Sequence, residues 1–339
     1  MRTTVTTRLL LALGLVAAAV TTAPAAATAA GCTWEATTLP LLSGYPGSAV
    51  TGASDGGWAV GSMTDSGGRS TLVRWHNGQI EKLGDAFGKQ TELRDVNSSG
   101  VAVGQTYANG DIADAVAHRG GRWENLPKPP NATRVRAKIV TDSGDIIGMT
   151  STGFDDLKLL IWPAASPGTV QLVNPDPSRY YDVVPVDADD QGRILIEATS
   201  GDGTDLILRH PDGTFTTVPG TIFWPTAYRN GHIVASGFDG TDVYAGVWDL
   251  EGHLVHRLAE QTDDLLTDSA GTLAGRYRTA DGGRAFGVWE NGVLTHTLPG
   301  TPTGRAGNPA ALTDGGVLAA TVDLPGTTTE SAVTYQRSC

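Results

Sequence analysis

Residues 263–298 read DDLLTDSAGTLAGRYRTADGGRAFGVWENGVLTHTL and contain one complete copy of the unit that decides the fold. An apolar strand leads to a turn that ends at Gly271, and a second apolar strand follows. After a loop, residues 285–289 form a third strand that closes on Trp289, and Asn291-Gly292 introduces an alternating fourth strand. Short β-rich runs bounded by turn residues are typical of β-strands, and no stretch has a helical period. The unit therefore predicts four antiparallel strands.

This unit recurs seven times along the chain. Its turn glycines lie 39 to 48 residues apart, at Gly56, Gly100, Gly144, Gly192, Gly231, Gly271 and Gly315. The residue that closes the third strand comes 17 to 20 positions later, at Trp75, His118, Trp162, His210, Trp248, Trp289 and Tyr335. Four strands every ~43 residues match one blade of a β-propeller. The sequence predicts an all-β fold, a seven-bladed β-propeller with four antiparallel strands per blade and the closing aromatics in its core.

Three dipeptides indicate tight hairpins between third and fourth strands. They are Asn77-Gly78, Asp212-Gly213 and Asn291-Gly292. Type I′ turns need positive φ at both central residues, which Asn, Asp and Gly tolerate best. We expect type I′ turns at all three places.

The two ends of the chain complete the ring. The seventh unit stops at residues 335–339, after its third strand, whereas residues 32–40 resemble fourth strands such as residues 122–127. The N-terminal strand is therefore predicted to pair in the last blade, which removes two open sheet edges. This pairing brings Cys32 beside Cys339, the two cysteines of the chain, and predicts a disulfide. The alternative is a lipidated Cys32, since this residue follows Ala29-Ala30-Gly31.

At the level of single residues, the unit resembles a known repeat. Residues 100–104 read Gly-Val-Ala-Val-Gly, and residues 285–289 read Ala-Phe-Gly-Val-Trp before Asn291-Gly292 and Leu298. They are similar to the HAF-type extracellular repeat of bacteria, which runs Gly-x-Val-Val-Gly, His-Ala-Phe-x-Trp, then Gly and Leu. Arg284 stands in place of the histidine, and the other six copies lack the Ala-Phe pair. The resemblance covers about residues 48–339 and implies an exported propeller-like scaffold, without a site to carry over.

Residues 1–30 are interpreted as a secretory signal peptide. Arg2 and Arg8 precede an apolar core at residues 9–20, and small residues follow at 25–30. The core is too short for a permanent transmembrane helix. We expect residues 32–339 to form a single domain of a secreted, extracellular protein, with attachment to the outer face of the membrane through Cys32 as the alternative. A monomer is expected.

The charge of the chain excludes some partners. Without the signal peptide it has 22 basic and 36 acidic residues, a net charge of −14. Because nucleic acids and anionic membranes need a basic surface, we expect neither as a partner.

Catalytic and metal sites are not indicated. Asp187, Asp189 and Asp190 precede the turn glycine Gly192, but an EF-hand would need Glu at the position of Ala198. Aspartates before turn glycines recur in most copies, so turn chemistry explains them, although calcium near residues 187–190 stays open. The sequence contains no nucleophile elbow and no zinc motif. We therefore predict no metal, no cofactor and no catalytic residue.

The binding residues are expected on one face of the propeller. Loops from strand two to three and from strand four to the next blade share one face, here called the loop face; the strand one-to-two turns form the opposite turn face. The predicted ligand-binding residues are the loop-face aromatics and arginines Tyr45, Phe87, Arg179, Tyr180, Tyr181, Phe223, Trp224 and Arg305. Loop aromatics and arginines are frequent in binding surfaces. Tyr181 and Trp224 precede the first strands of adjacent blades, so we expect them to sandwich a planar or sugar-like ligand, with Arg179 as a hydrogen-bond donor.

Two functions remain in view. The first is a non-enzymatic binding module that engages a glycan or a peptide through this face. The second is a propeller hydrolase or lyase with acidic residues in the central channel, because two carboxylates at a suitable separation are sufficient for such chemistry.

Overall fold

The computed structural model describes residues 32–151, 156–220, 222–298, 307–323 and 329–339. Within these ranges, 28 strands form seven sheets of four antiparallel strands. A short 3-10 turn at Ala86–Gly88 is the one helical element of the described part. The predicted all-β architecture of seven four-stranded blades is confirmed. No helix in these ranges is long and apolar enough to span a bilayer.

The strands follow the chain from blade to blade. The first three blades consist of β2 (Gly47–Ala53), β3 (Trp58–Thr64), β4 (Ser70–His76) and β5 (Gln79–Lys82); β6 (Thr91–Val96), β7 (Ala102–Ala108), β8 (Asp111–Arg119) and β9 (Arg122–Asn125); and β10 (Arg134–Val140), β11 (Ile146–Ser151), β12 (Leu157–Trp162) and β13 (Gln171–Val173). Blades 4 to 6 consist of β14 (Asp182–Ala188), β15 (Ile194–Ser200), β16 (Gly203–Arg209) and β17 (Phe215–Val218); β18 (Phe223–Arg229), β19 (His232–Phe238), β20 (Val243–Trp248) and β21 (Leu254–Arg257); and β22 (Thr262–Thr267), β23 (Leu273–Arg278), β24 (Arg284–Glu290) and β25 (Val293–Thr297). Blade 7 consists of β26 (Pro309–Leu312), β27 (Val317–Asp323), β28 (Glu330–Ser338) and β1 (Thr33–Thr38).

Blade 7 closes the ring as predicted. Its outer strand β1 pairs antiparallel with β28, in a register that runs from Thr33 opposite Ser338 to Thr38 opposite Val333. A disulfide joins Cys32 to Cys339 at the end of this pairing. The first strands of neighbouring blades contact one another and surround a central channel, and we call them the inner strands. Both the closing strand and the disulfide are thus confirmed.

The aromatic residues that close the third strands hold neighbouring blades together. Trp75 and Trp289 are fully buried, as the repeat predicts, whereas His210 is only half-buried. The indole N–H of Trp75 donates to the carbonyl of Pro40, 2.8 Å away, which lies at the end of the preceding blade's outer strand. Trp162 makes the same 2.8 Å bond to Pro127. This bond explains why a Leu-Pro pair ends a fourth strand one blade before such a tryptophan.

The turn face is held by hydrogen bonds that pass from one blade to the next. The backbone N–H of Ser98 donates to Asp142 at 2.8 Å, and the N–H of Gly315 donates to Asp55 at 2.7 Å. Ser269 and Asp314 form the same contact at 2.6 Å. Asp55, Asp142 and Asp314 therefore bond the turn of a neighbouring blade, whereas Asp268 accepts the N–H groups of Ala270 and Thr272 in its own turn.

The hairpin predictions hold at two of three places. Asn77 and Asn291 have φ of 49° and 52°, and the glycine after each also has positive φ, as type I′ turns require. Asp212-Gly213 is different, because only Gly213 has positive φ. Asp212 accepts the N–H of Thr214 at 2.9 Å and so stabilises a longer turn, and the predicted type I′ turn was wrong there.

Candidate functional site

Bulges in the inner strands determine which side chains reach the channel. In five of the seven inner strands, a single extra residue interrupts the pairing with the second strand, at Thr51, Arg94, Lys138, Val186 and Ala310. A bulge redirects the side chain of the extra residue. Four of these residues, all except Val186, line a pocket in the channel.

This channel pocket has a volume of about 1000 Å³. Its lining includes Gly282 and Gly283 between β23 and β24, and Asn308 directly before β26, so it opens on the loop face. Its lining contains no aromatic residue among the described positions. Arg94, Arg136 and Lys138 form one wall of it, which we call the basic wall.

A smaller pocket of about 210 Å³ lies toward the turn face. It shares Arg94 and Lys138 with the channel pocket, so these two residues stand between the two cavities. Asp95 and Asp187 lie in its wall. The turn-side pocket is thus mainly acidic, whereas the channel pocket is lined by the basic wall and Arg284 and by the carboxylates of Glu92, Asp323 and Glu330.

The two channel aspartates connect neighbouring blades. Asp95 accepts the backbone N–H groups of Val96 at 2.8 Å and of Val140 in the next blade at 2.9 Å. Asp187 accepts the backbone N–H of Ala188 at 2.8 Å and, across a blade boundary, that of Tyr228 at 3.1 Å. These carboxylates therefore have structural partners.

Desolvation dominates the ionisation of Asp95. It raises the pKa of the carboxyl to about 7, against the N–H bonds from Val140 and Val96, and nearby Asp187 adds to the increase. Desolvation also raises the pKa of Asp187, whereas Arg229 lowers it. For Arg229 itself, desolvation lowers the pKa, but Asp187 and its other acidic neighbours outweigh it and raise the pKa overall.

These shifts predict a pH-dependent stability. Between pH ~4 and ~7 the folded protein binds a proton at Asp95 that the unfolded chain releases, so the free energy of unfolding decreases as pH rises through this window. We expect a decrease on the order of 1 to 4 kcal/mol, measured by urea denaturation. In Asp95→Asn this contribution should disappear, and stability at pH 4 should fall because the amide accepts only one of the two N–H bonds.

The control for this experiment is Asp202→Asn, since Asp202 lies exposed in a turn. Its pH profile should match that of the wild type. Parallel profiles for the wild type and Asp95→Asn would contradict the assignment to Asp95.

Most of the predicted loop-face aromatics, which we call the rim aromatics, are exposed; the set consists of Tyr45, Phe87, Tyr180, Tyr181, Phe223 and Trp224. The exposed fractions of Trp224 and Tyr181 are 66% and 46%, and Phe87 and Phe223 are also exposed. Phe223 and Trp224 lie within β18 rather than in a loop. Among the described residues, Trp224 makes a ring contact with Phe223, 6.1 Å away, and none with Tyr181. Tyr45 is half-buried beneath the ammonium group of Lys82, which bonds its hydroxyl at 3.1 Å.

Tyr180 and Arg179 are engaged within the protein. Tyr180 is only 4% exposed, and its hydroxyl donates to Asp205 at 2.6 Å. Desolvation and this bond raise the pKa of Tyr180 to about 12. The guanidinium of Arg179 lies 5.0 Å from the Tyr180 ring centre and pairs with Asp205 at 2.8 Å. These two residues anchor the loop before β14, and their predicted contact with a ligand stays a prediction. Arg305 lies outside the described residues.

The aspartates before Gly192 are bound to backbone and arginine groups. Asp189 accepts the N–H groups of Gln191 and Arg193, and its second oxygen accepts from the Arg193 side chain at 2.7 Å. In the described part of the chain, no group of three or more His, Cys, Asp or Glu residues is arranged to hold a metal ion.

Sequence reasoning missed the basic wall. Arg136 and Lys138 were visible as charges inside a predicted first strand, flanked by apolar residues, whereas Arg94 lies between Leu93 and Asp95. For Arg136 and Lys138 this was a usable signal, because a charge between apolar residues of an inner strand is expected to face the channel; for Arg94 there was no such signal in the sequence.

Solved structures share this architecture at low sequence identity. Virginiamycin B lyase from Staphylococcus aureus is 12% identical, with 90% of this chain and 99% of that chain covered and a TM-score of 0.55. A prolyl endopeptidase is 14% identical over 86% of this chain and 50% of its own, with a TM-score of 0.57. Acylaminoacyl peptidase from Pyrococcus horikoshii is 10% identical over 84% of this chain and 50% of its own, with a TM-score of 0.55. These similarities show the propeller fold. No family model, that of the HAF repeat included, and no curated protein matches the chain.

Proposed function

We propose that this protein is an exported, monomeric binding module that holds a glycan or peptide ligand on its loop face. The observation that carries the proposal is the channel pocket of about 1000 Å³, which opens on the face that also presents exposed aromatic side chains. Large concave sites with a few polar groups are the usual form of ligand sites. Exposed aromatics on the same face as such a pocket provide flat apolar surfaces for stacking.

Backbone strain supports a binding role for two of these aromatics. Trp224 has φ of 46° and Phe87 has φ of 54°. The other non-glycine residues with positive φ in the described chain are Asn or Asp, which tolerate this conformation. Bulky residues held there cost on the order of 1 to 3 kcal/mol each and cluster at ligand sites. An exposed side chain gains little free energy from burial that could offset this cost. We therefore explain Trp224 and Phe87 as residues retained because they contact a ligand.

Export is supported by the disulfide. Disulfides form and persist in oxidising compartments, and the bond occupies the sulfur of Cys32. A lipid thioether at Cys32 would need that same sulfur. We therefore favour release from the cell after cleavage within residues 1–30 over attachment to the membrane.

The competing enzyme hypothesis needs a channel carboxylate that is free to act. Three channel carboxylates are engaged within the protein: Glu92 accepts from Arg94, Tyr107 and Gln105, and both Asp95 and Asp187 accept backbone N–H groups. Asp323 and Glu330 also line the channel pocket. The similar lyase and peptidases share only the fold with this chain, and fold does not determine activity. We therefore favour the binding function.

The rim aromatics provide the test. We expect the double variant Tyr181→Ala/Trp224→Gly to bind a ligand found on a glycan and peptide array at least ten-fold more weakly, as central stacking residues do. Glycine relieves the positive φ at position 224, so stability should stay within about 1 kcal/mol of the wild type. Affinity is measured by calorimetry and stability by urea denaturation.

Leu172→Ala is the matched control, because Leu172 is an exposed apolar residue on the outer strand β13. It should bind like the wild type. Unchanged affinity of the double variant, or its unfolding, would show that the aromatics cover the blades and that the ligand binds elsewhere.

A further inference from the structure

The basic wall consists of three cations from neighbouring inner strands. Arg94 on β6 and Lys138 on β10 are bulge residues, and Arg136 lies two positions before Lys138. All three line the channel pocket. With Arg284, four basic residues line the pocket beside three acidic ones, Glu92, Asp323 and Glu330, whereas acidic residues outnumber basic ones by 36 to 24 in the chain as a whole.

The protein neutralises this wall only in part. Arg94 pairs with Glu92 at 3.0 Å, while the other oxygen of Glu92 is used by Tyr107 and Gln105. Lys138 donates to the carbonyls of Pro185 and Val186, at 2.8 and 3.1 Å. These carbonyls solvate the ammonium group without adding a negative charge.

Arg136 has no counter-ion in the described structure. Its guanidinium makes no hydrogen bond and no ion pair with any described residue. Desolvation and the charge of Arg94 lower the pKa of Arg136. Desolvation lowers the pKa of Lys138, and Arg136 and Arg94 add to the decrease, against the opposing charges of Asp187 and Glu197. Placing like charges together in a partly desolvated channel is unfavourable until an anion joins them.

We infer that the ligand of the channel pocket is an anionic glycan, whose carboxylate or sulfate group binds between Arg136 and Arg94. This inference rests on the proposed binding function and names its ligand class. A guanidinium can bond two oxygens of either group through two parallel hydrogen bonds. The exposed aromatics favour a sugar over an acidic peptide, because they offer stacking surfaces on the face where the charged pocket opens. The acidic exterior disfavours nonspecific attraction of polyanions.

Calorimetry with defined probes tests this inference. The probes are a galacturonic acid tetramer, its methyl ester, a sulfated galactan tetramer and tetraglutamate. We expect one of the two charged sugars to bind, and the methyl ester, which has the same skeleton without charge, to fail where the acid binds. Arg136→Gln should weaken binding by about ten-fold or more. Arg122→Gln, which removes an exposed arginine on the outer strand of blade 2, should not change it.

Stability without ligand separates a binding role from a structural one. Because Arg136→Gln removes one of two adjacent like charges, its melting temperature should equal or exceed that of the wild type. If Arg136 instead stabilised the fold, Arg136→Gln would have a lower melting temperature than the wild type.

Several results would overturn the inference. They are the absence of binding by both charged sugars, equal binding by the wild type and Arg136→Gln, or a lower melting temperature of that variant. Tetraglutamate that binds as tightly as the charged sugars would overturn the glycan class. If Tyr181→Ala/Trp224→Gly weakens binding of an array-identified ligand while Arg136→Gln does not, the proposed function stands and the anionic ligand is wrong.

Discussion

A protein that lacks residues 32–39 is expected to lose more than about 5 kcal/mol of its free energy of unfolding. The deletion removes the outer strand of blade 7 and the disulfide that spans 307 positions. In the chain-entropy model, such a cross-link alone contributes on the order of 5 kcal/mol. The deletion also removes the buried side chain of Trp34 and leaves β28 as an open edge. Because domains are stable by only ~5 to 15 kcal/mol, the truncated protein should be largely unfolded at 37 °C.

Two further variants separate the contribution of the disulfide to stability from that of the Trp34 side chain. Cys32→Ser/Cys339→Ser keeps β1 and loses only the cross-link, so its stability should lie between those of the truncated and intact proteins. Trp34→Ala, with the disulfide in place, should cost about 3 to 5 kcal/mol. Circular dichroism during urea denaturation measures all three. A truncated protein with an unchanged melting temperature would show that β1 does not close the ring.

The second large effect is expected at Gly104, the last glycine of the Gly-Val-Ala-Val-Gly run. A Cβ atom added there would lie 1.9 Å from the carbonyl oxygen of Glu92 and 2.9 Å from the Cα of Leu93, far inside normal contact distances. Both are backbone atoms of the inner strand β6, just before its bulge. Gly104→Ala should therefore destabilise the protein by about 3 kcal/mol or more and displace Arg94 from the basic wall.

Gly201→Ala is the control for this experiment, because a Cβ at Gly201 would meet nothing within 4 Å. Its stability should stay within ~0.5 kcal/mol of the wild type. Thermal denaturation compares the two variants. Equal melting temperatures for Gly104→Ala and the wild type would mean that the inner strand adapts without cost.

The number of blades and the closure of the ring could be predicted because the copies share requirements of backbone geometry: five of the seven predicted turn glycines have positive φ, and beside Gly56 and Gly315 the following glycine has it. A turn residue such as Gly144 needs positive φ, and a third-strand aromatic such as Trp162 has to reach the preceding blade. These requirements recur every 39 to 48 residues, so seven individually weak signals reinforce one another. The disulfide follows from the same closure.

The candidate site was harder to predict from the sequence, because the residues that form it do not recur from copy to copy. A bulge at Arg94 shifts the alternation of β6 by one residue, so the pattern of apolar and polar residues alone does not show which side chains face the channel. Arg179 and Tyr180 looked like binding residues, but both contact Asp205, a partner 25 positions from Tyr180 on another strand. Asp212-Gly213 failed as a turn prediction because a side-chain bond to Thr214 selects a different backbone.

The bond between Cys32 and Cys339 also makes the described chain a covalent circle. A protease that cuts any one loop between these residues converts the circle into a single linear molecule of two disulfide-linked pieces. No piece can diffuse away, and each blade keeps its neighbours on both sides. Two cuts in different loops, or one cut together with reduction of the disulfide, are needed before a segment can leave the ring.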